Sequence, residues 1–147
     1  MDTVGRILGL DVGEARTGAA VSDPLGIVAT PLETIQMQST DADIDAVARI
    51  IEETGAIGIV VGLPLNQDGK EGPQAKKVQD FIAQLRGRIQ IEIATQDERF
   101  TSAIAQRTLR DSNVRGKDRK KYIDQIAAQQ ILQTYLDRRA NLRKSRP

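Results

Sequence analysis

The run AIGIVVGLP at residues 56–64 is apolar throughout, and it narrows the range of folds more than any other part of the chain. A strand that leaves one face in water alternates apolar and polar residues, whereas a strand covered on both faces does not. Continuous apolar strands are typical of parallel sheets that carry helices on both faces. The run is also much shorter than the roughly 18 apolar residues of a membrane span. It therefore predicts a central strand of an α/β domain.

The chain before this run changes from a strand pattern to a helix pattern. Short turns join three runs of strand-forming residues, which predicts a meander at residues 5–13, 16–23 and 26–36. Pro31 lies inside the third run, so we expect an edge strand or a bulge there. Apolar residues then recur with helical spacing over 41–54, with Thr40 as the predicted N-cap and Gly55 as the stop.

The chain after this run alternates between helix and strand. Gly72 and Pro73 are typical of an N-cap and a first helical residue, and alternating isoleucines predict a fifth strand at 88–98. The remaining predicted elements are a helix at 101–110, a polar basic loop at 112–121 and a last helix at about 120–138.

Together these elements predict the fold class α/β, with a five-stranded mixed sheet flanked by about four helices. Strands 1–3 form the meander, and strands 4 and 5 run parallel to strand 1 because helices connect them. We expect one domain over residues 1–138 and a basic flexible tail over 139–147. The start of the sequence lacks the basic leader and long apolar stretch of a signal peptide, so we expect a cytoplasmic protein with no membrane partner.

The composition limits the chemistry that the chain can support. It contains no histidine and no cysteine, which excludes thiolate metal sites and imidazole bases. Two phenylalanines, two tyrosines and no tryptophan are too few for a surface of stacked aromatic rings. Acid–base or metal chemistry must therefore use carboxylates, whose oxygen atoms favour Mg²⁺ or Mn²⁺.

Acidic residues gather at the predicted carboxyl edge of the sheet, where open α/β folds bind ligands. Asp11 ends the first strand, and Asp97 and Glu98 end the fifth. Asp124 lies in the first turns of the last helix. Taken singly, each has a structural explanation, because such acids are common in turns and at helix starts. Taken together, they would repel one another unless a cation neutralised them, and with Mg²⁺ they would form a site for hydrolysis at phosphorus.

Charge is distributed unevenly along the chain. Residues 1–114 contain 11 Lys and Arg against 17 Asp and Glu, whereas residues 115–147 contain 10 Lys and Arg against 3 Asp. This asymmetry favours a nucleic-acid partner for the basic part. A solvated helix and tail would give the same pattern, so charge alone leaves both interpretations open.

Four segments of the chain resemble, in order and spacing, the YqgF family of bacteria. They are LGLDVGEARTGAAVSD, VVGLPLNQDGKEGPQA, DERFTSAIA and KKYIDQIAAQQILQ, and they span residue 8 to about 133. The family is named for pre-16S rRNA nucleases and Holliday junction resolvases. The resemblance implies a ribonuclease-H-like fold, in agreement with the predicted order of elements.

The resemblance also implies roles for individual residues. Asp11, Glu98 and Asp124 would form the catalytic set that binds Mg²⁺ or Mn²⁺, although the adjacent Asp97 leaves the choice at that position open. Residues that would hold substrate phosphates are Arg99, Thr101, Arg115, Lys117, Arg119, Lys120 and Lys121. Gly9, Gly13 and Gly18 are expected to leave room for a sugar–phosphate backbone near Asp11.

The function expected from these features is metal-dependent hydrolysis of phosphodiester bonds in structured nucleic acid. Family resemblance favours maturation of the 5′ end of pre-16S rRNA, with a ribosomal precursor particle as a partner. Resolution of branched DNA by a homodimer, or RNA binding by a non-catalytic assembly factor, would use the same fold. A sugar kinase of the actin type is disfavoured, because such enzymes need two lobes and this chain is too short for them.

Overall fold

The computed structural model describes residues 4–100 and 117–144, with backbone alone for Phe100, residues 117–122 and Asp124. The strands are β1 (Ile7–Val12), β2 (Arg16–Ser22), β3 (Ala29–Pro31), β4 (Ile35–Gln36), β5 (Gly58–Leu63) and β6 (Glu92–Asp97). The helices are α1 (Thr40–Thr54), α2 (Pro73–Arg88), a 3₁₀ turn (Glu98–Phe100) and α3 (Lys117–Lys144). None of the helices in these ranges is long and apolar enough to cross a membrane.

The strands form one mixed sheet in the order β3-β2-β1-β5-β6, with β4 also paired to β2. β1 is antiparallel to β2 and parallel to β5, and β5 is parallel to β6. These pairings confirm the predicted α/β class, the meander and the parallel strands. The apolar run at 56–64 supplies β5, which lies between two parallel neighbours, as its pattern predicts.

The third predicted strand, residues 26–36, is wrong as a single element. Asp23 accepts hydrogen bonds from the backbone N–H groups of Ile27 and Val28 at 2.7 Å, and this turn delays the start of β3 to Ala29. The strand then ends at Pro31, and β4 forms a separate pairing with β2. Over the described residues the sheet therefore has six strands instead of the five predicted.

Two apolar clusters cover the two faces of the sheet, because neighbouring residues in a strand point to opposite sides. Leu8 and Leu10 of β1 pack in the cluster that includes helices α1 and α2. Ile7 of β1 packs in the other cluster, with Ile131 and Leu132 of α3. Asp11 has the same strand parity as Ile7 and therefore belongs to the α3 face.

The ends of the first two helices follow local capping rules. Ser39, and not the predicted Thr40, is the N-cap of α1, because its side chain accepts a hydrogen bond from the N–H of Ala42. Gly55 ends α1 at a φ of 72°, as predicted for a glycine stop. Gly72 and Pro73 begin α2, as their sequence predicted.

Two other predicted boundaries need correction. Helix α2 continues to Arg88, so the fifth predicted strand begins at Glu92 instead of residue 88. Helix α3 begins at Lys117 and ends at Lys144, so it takes in residues 117–121 of the predicted loop and residues 139–144 of the predicted tail. Arg139, beyond the apolar pattern of the helix, is buried beside Gly26. The predicted helix at 101–110 lies outside the described residues.

Three glutamines of α3, spaced four residues apart, bind the backbone of the edge strand β3 and its flanks. Gln125 donates to the carbonyl of Leu32 at 2.8 Å, and Gln129 donates to the carbonyl of Ala29 at 3.0 Å. Gln133 accepts from the Ala29 N–H at 2.9 Å and donates to a second carbonyl at 2.8 Å. We call these three side chains the glutamine ladder; it fixes the position of α3 along the sheet.

Candidate active site

The parallel strands bring Asp11 and Glu98 to the same edge of the sheet. Asp11 is the next-to-last residue of β1, and Glu98 directly follows β6. Leu10 pairs with Val61 of β5, so Asp11 lies beside Gly62, the following residue of that strand. Strands in a sheet are about 4.8 Å apart, so β5 is the only strand that separates the two acidic positions.

The carboxylate of Glu98 extends back over β5 on the α3 face. A Cβ atom placed on Gly62 would lie 2.5 Å from Glu98 Oε1 and 2.5 Å from Ile131 Cδ1. Because Gly62 is the β5 neighbour of Asp11, the Glu98 carboxylate lies one strand away from Asp11 and on the same face. Glycine at this position provides the space that the carboxylate occupies.

Both carboxylates are buried. Asp11 is 3% exposed and Glu98 is fully buried. Asp11 Oδ1 and Glu98 Oε1 accept no hydrogen bond in the described part of the chain, although both residues take part in other interactions. Carboxylate oxygens are the ligands that Mg²⁺ and Mn²⁺ prefer, so the donor atoms of this pair fit such a cation.

The backbone of Asp124 lies near this edge of the sheet. Its position in α3 is one turn before Ala128, whose carbonyl oxygen contacts the position of Gly9 in β1. The next residue, Gln125, binds Leu32, whose N–H donates to Ala19, the β2 partner of Leu10. The Asp124 side chain is not among those that the structure describes. Among the side chains that it does describe, no group of three acidic, histidine or cysteine residues could hold a metal ion. The role of Asp124 as a third ligand stays a prediction.

Asp97 differs from Glu98 in its surroundings. The backbone N–H of Arg99 donates to Asp97 Oδ1 at 3.0 Å, and the Arg99 side chain donates to both oxygens, with Nη2 at 2.7 Å from Oδ2. The hydrogen bonds from the guanidinium hold the pKa of Asp97 below its usual range. Of the two adjacent acids, Glu98 is thus the one whose carboxylate lies on the α3 face near Asp11.

Arg99 was predicted to bind substrate phosphates, and its guanidinium has protein partners in the structure. Besides Asp97, it donates to the carbonyl oxygen of Gln67 at 3.2 Å, in the loop at residues 64–72. Thr101 and Arg115 lie outside the described residues. The predicted phosphate ligands whose backbone lies in the first turns of α3 are Lys117, Arg119, Lys120 and Lys121.

Three glycines were expected to leave room for substrate. For two of them, the structure gives a packing or turn requirement as the reason for glycine. A Cβ on Gly9 would lie 2.7 Å from Leu132 Cβ, so this glycine allows α3 to approach the sheet. A Cβ on Gly13 would collide with the carbonyl oxygen of Arg16, within the turn after β1. The glycine that does make room at the site is Gly62, which the sequence analysis did not single out. A glycine within a run of branched residues indicates that another group comes close to the strand backbone at that point.

The sequence profile of the RuvX family, described as Holliday junction resolvase, matches residues 5–138. The chain belongs to the RuvX family, also called YqgF. This confirms the resemblance found in the four sequence segments.

Relatives of the chain carry a common name. A protein of Natranaerobius thermophilus named "Putative pre-16S rRNA nuclease" is 46% identical over 136 residues, which cover 92% of this chain and 96% of that protein. A protein of the same name from Lactococcus lactis subsp. cremoris (strain MG1363) is 46% identical over 137 residues, with 92% and 96% covered. These RuvX proteins match this chain over nearly their whole length.

The fold of this RuvX protein is similar to that of a solved structure. "T. thermophilus RuvC in complex with Holliday junction substrate" superposes with a TM-score of 0.52 over 91% of this chain and 95% of that one, at 11% identity. At this identity, the likeness shows the fold alone. The fold is ribonuclease-H-like, as the resemblance implied.

Proposed function

We propose that this protein is a metal-dependent nuclease that hydrolyses phosphodiester bonds in structured RNA, and that its substrate is the 5′ end of pre-16S rRNA. The observation that carries the proposal is the pair of buried carboxylates, Asp11 and Glu98, on one face at the carboxyl edge of the sheet. The names of the relatives support RNA as the substrate. Such a substrate would place the protein in the cytoplasm, on a precursor particle of the small ribosomal subunit.

The residues of the site suit Mg²⁺ or Mn²⁺. Its carboxylates offer oxygen ligands alone, and the chain has no histidine or cysteine that would select a softer metal. Asp11, Glu98 and the predicted third ligand Asp124 would hold the ion. When bound, it would supply positive charge that stabilises the attacking and leaving oxygens of the phosphodiester.

The chain positions the site on its central strand and its last helix. Asp11 lies within strand β1, which is paired with a strand on each side, so the backbone that carries its carboxylate is held in place. Helix α3 covers the site on one side through Ile131, which keeps water from that side of the Glu98 carboxylate. The basic residues at 117–121 would attract the phosphate backbone to the same end of the sheet.

A second function deserves a direct test, because the family is described as Holliday junction resolvase. Cleavage of a four-way DNA junction is the same hydrolysis on a different substrate, and its paired cuts would require a two-fold dimer. A non-catalytic RNA-binding assembly factor would bind without cleaving. The three functions differ in substrate and turnover, and not in fold.

The experiment is a single-turnover cleavage assay with precursor 16S rRNA and with a four-way junction, each with Mg²⁺ and with EDTA. We expect Mg²⁺-dependent cleavage of the RNA by the wild-type protein. Asp11→Asn should abolish cleavage and leave folding and nucleic-acid binding intact. Near-normal turnover by Asp11→Asn, or full activity in EDTA, would exclude the proposed site. Preferred cleavage of the junction would favour the resolvase, and binding of the RNA without cleavage would favour the assembly factor.

A further inference from the structure

Arg99 and Asp97 lie on either side of Glu98 in the chain, and their side chains bind each other. Arg99 Nε lies 3.2 and 3.0 Å from the two carboxylate oxygens of Asp97, and Nη2 lies 2.7 Å from Oδ2. Both side chains are largely shielded, at 23% and 21% exposure. A partly buried, forked contact of this kind has defined geometry, in contrast to an exposed ion pair.

The pair also fixes the main chain at Glu98. The N–H of Arg99 donates to Asp97 Oδ1 at 3.0 Å, so the carboxylate bridges across the backbone of Glu98. Such a bond from an aspartate to the amide two residues later stabilises a turn. The turn directs the Glu98 side chain back over Gly62, while Asp97 and Arg99 bind each other.

Arg99 further connects this turn to the loop at residues 64–72. Its Nη1 donates to the Gln67 carbonyl at 3.2 Å, and its guanidinium would lie 3.2–3.6 Å from a Cβ on Gly69. Gly69 has a φ of 84°, and its N–H closes a turn to the carbonyl of Asn66 at 2.8 Å. The guanidinium therefore rests against a tight turn that leaves β5 next to the site.

We propose that Asp97 and Arg99 form a clamp that positions Glu98 and holds the 64–72 loop beside it, and that Arg99 is not a phosphate ligand. The clamp acts through Glu98, so its two members are positioning residues. Its effect on cleavage rests on the proposed nuclease function, whereas its effect on the loop does not.

The test compares Asp97→Asn, Arg99→Lys and the double variant with the wild-type protein. Arg99→Lys keeps the positive charge that a phosphate would need. It loses the planar guanidinium, which donates hydrogen bonds to both Asp97 and Gln67. Arg88→Lys is the matched control, because Arg88 binds Asp41 and Asp45 on the surface of α1, away from the site. Thermal melts establish that each variant is folded, and Arg99→Gln replaces Arg99→Lys if the lysine prevents folding.

The first measurement is amide hydrogen exchange, which needs no substrate. We expect the amides of Asn66, Gly69 and Lys70 to exchange about tenfold faster in either single variant, because a charge-assisted contact is lost. The double variant should show the same increase and no more, since both substitutions remove one interaction. Unchanged exchange in both single variants, or effects that add in the double variant, would overturn the clamp.

The second measurement separates positioning from binding. We expect either single variant to lower kcat for RNA cleavage by about tenfold or more, with the dissociation constant for RNA changed less than about twofold. If Arg99 instead binds a phosphate, Arg99→Lys will keep nearly normal kcat because it retains the positive charge, whereas Arg99→Gln will weaken RNA binding and lower its salt dependence. If the wild-type protein cleaves no nucleic acid, the proposed function fails, and the exchange measurement still decides whether the clamp exists.

Discussion

Gly62 lies directly under the carboxylate of Glu98, so that a methyl group on Gly62 would come within 2.5 Å of Glu98 Oε1. The same methyl group would come within 2.5 Å of Ile131 Cδ1. Both atoms end flexible side chains, which can move without unfolding the sheet. A larger residue at position 62 would therefore move the Glu98 carboxylate more readily than it would unfold the sheet.

We expect Gly62→Ala to lower RNA cleavage by about tenfold or more, because it displaces Glu98 from its place beside Asp11. Its stability should fall by roughly 1 to 3 kcal/mol, the usual range for an overfilled core. Gly87→Ala is the control, since a Cβ there has no neighbour within 4 Å. Cleavage by Gly62→Ala at the wild-type rate would show that the Glu98 carboxylate is not needed in its present position.

Gly9→Ala tests the contact between α3 and the sheet. Its Cβ would lie 2.7 Å from Leu132 Cβ, an atom next to the helix backbone, so the whole helix must shift. We expect a loss of about 1 to 3 kcal/mol in the free energy of unfolding, measured by urea denaturation. The helical Gly87→Ala should instead gain up to about 1 kcal/mol. A neutral Gly9→Ala would mean that α3 packs less closely than the structure describes.

Removal of an acidic residue of the site should stabilise the protein when metal is absent. At a spacing of about 5 Å and an effective dielectric constant of about 20, two carboxylates repel each other by roughly 3 kcal/mol before proton uptake reduces this. Glu98→Gln and Asp124→Asn should therefore melt at a higher temperature than wild type in EDTA and gain less from millimolar Mg²⁺. If Asp124 only stabilises the start of a helix, Asp124→Asn will melt lower in EDTA and respond normally to Mg²⁺.

The basic residues at the start of α3 should supply affinity and not chemistry. Binding should weaken with salt, with log K falling by roughly 0.7 to 0.9 per neutralised phosphate for each unit of log salt concentration. The combined neutral substitution of Lys117, Arg119, Lys120 and Lys121 should flatten this slope, as measured by fluorescence anisotropy at several salt concentrations. An unchanged slope would assign these four residues to a solvated helix surface.

The sheet could be predicted from the sequence because its signals are local. The unbroken apolar run at 56–64 indicates a buried strand, and strand–helix alternation indicates parallel pairing. Asp11 and the pair at 97–98 were located on the same edge for the same reason. The end of α3 was not predicted, because the apolar pattern stops before Arg139, whose burial beside Gly26 joins residues distant in sequence.

The finer features of the site depend on which atoms face each other. Asp97 and Glu98 are adjacent acids at the end of one strand, and sequence alone left the choice between them open. The orientation of the turn separates them, since Asp97 binds Arg99 while Glu98 lies over Gly62. For the same reason, the sequence could not distinguish a glycine that admits a helix, such as Gly9, from one that admits a carboxylate.

The glutamine ladder has a consequence for how the chain folds and stays in solution. An edge strand offers unpaired backbone groups to which another chain can add, and such edges promote aggregation. Here the protection comes from far along the chain, since Gln133 and Ala29 are 104 residues apart. A fragment that ends before α3 would expose this edge together with the apolar face that carries Ile7 and Val60. A contact between residues so far apart in sequence forms slowly. Partly folded chains are therefore at greatest risk of pairing β3 with a strand of another chain before α3 packs on the sheet.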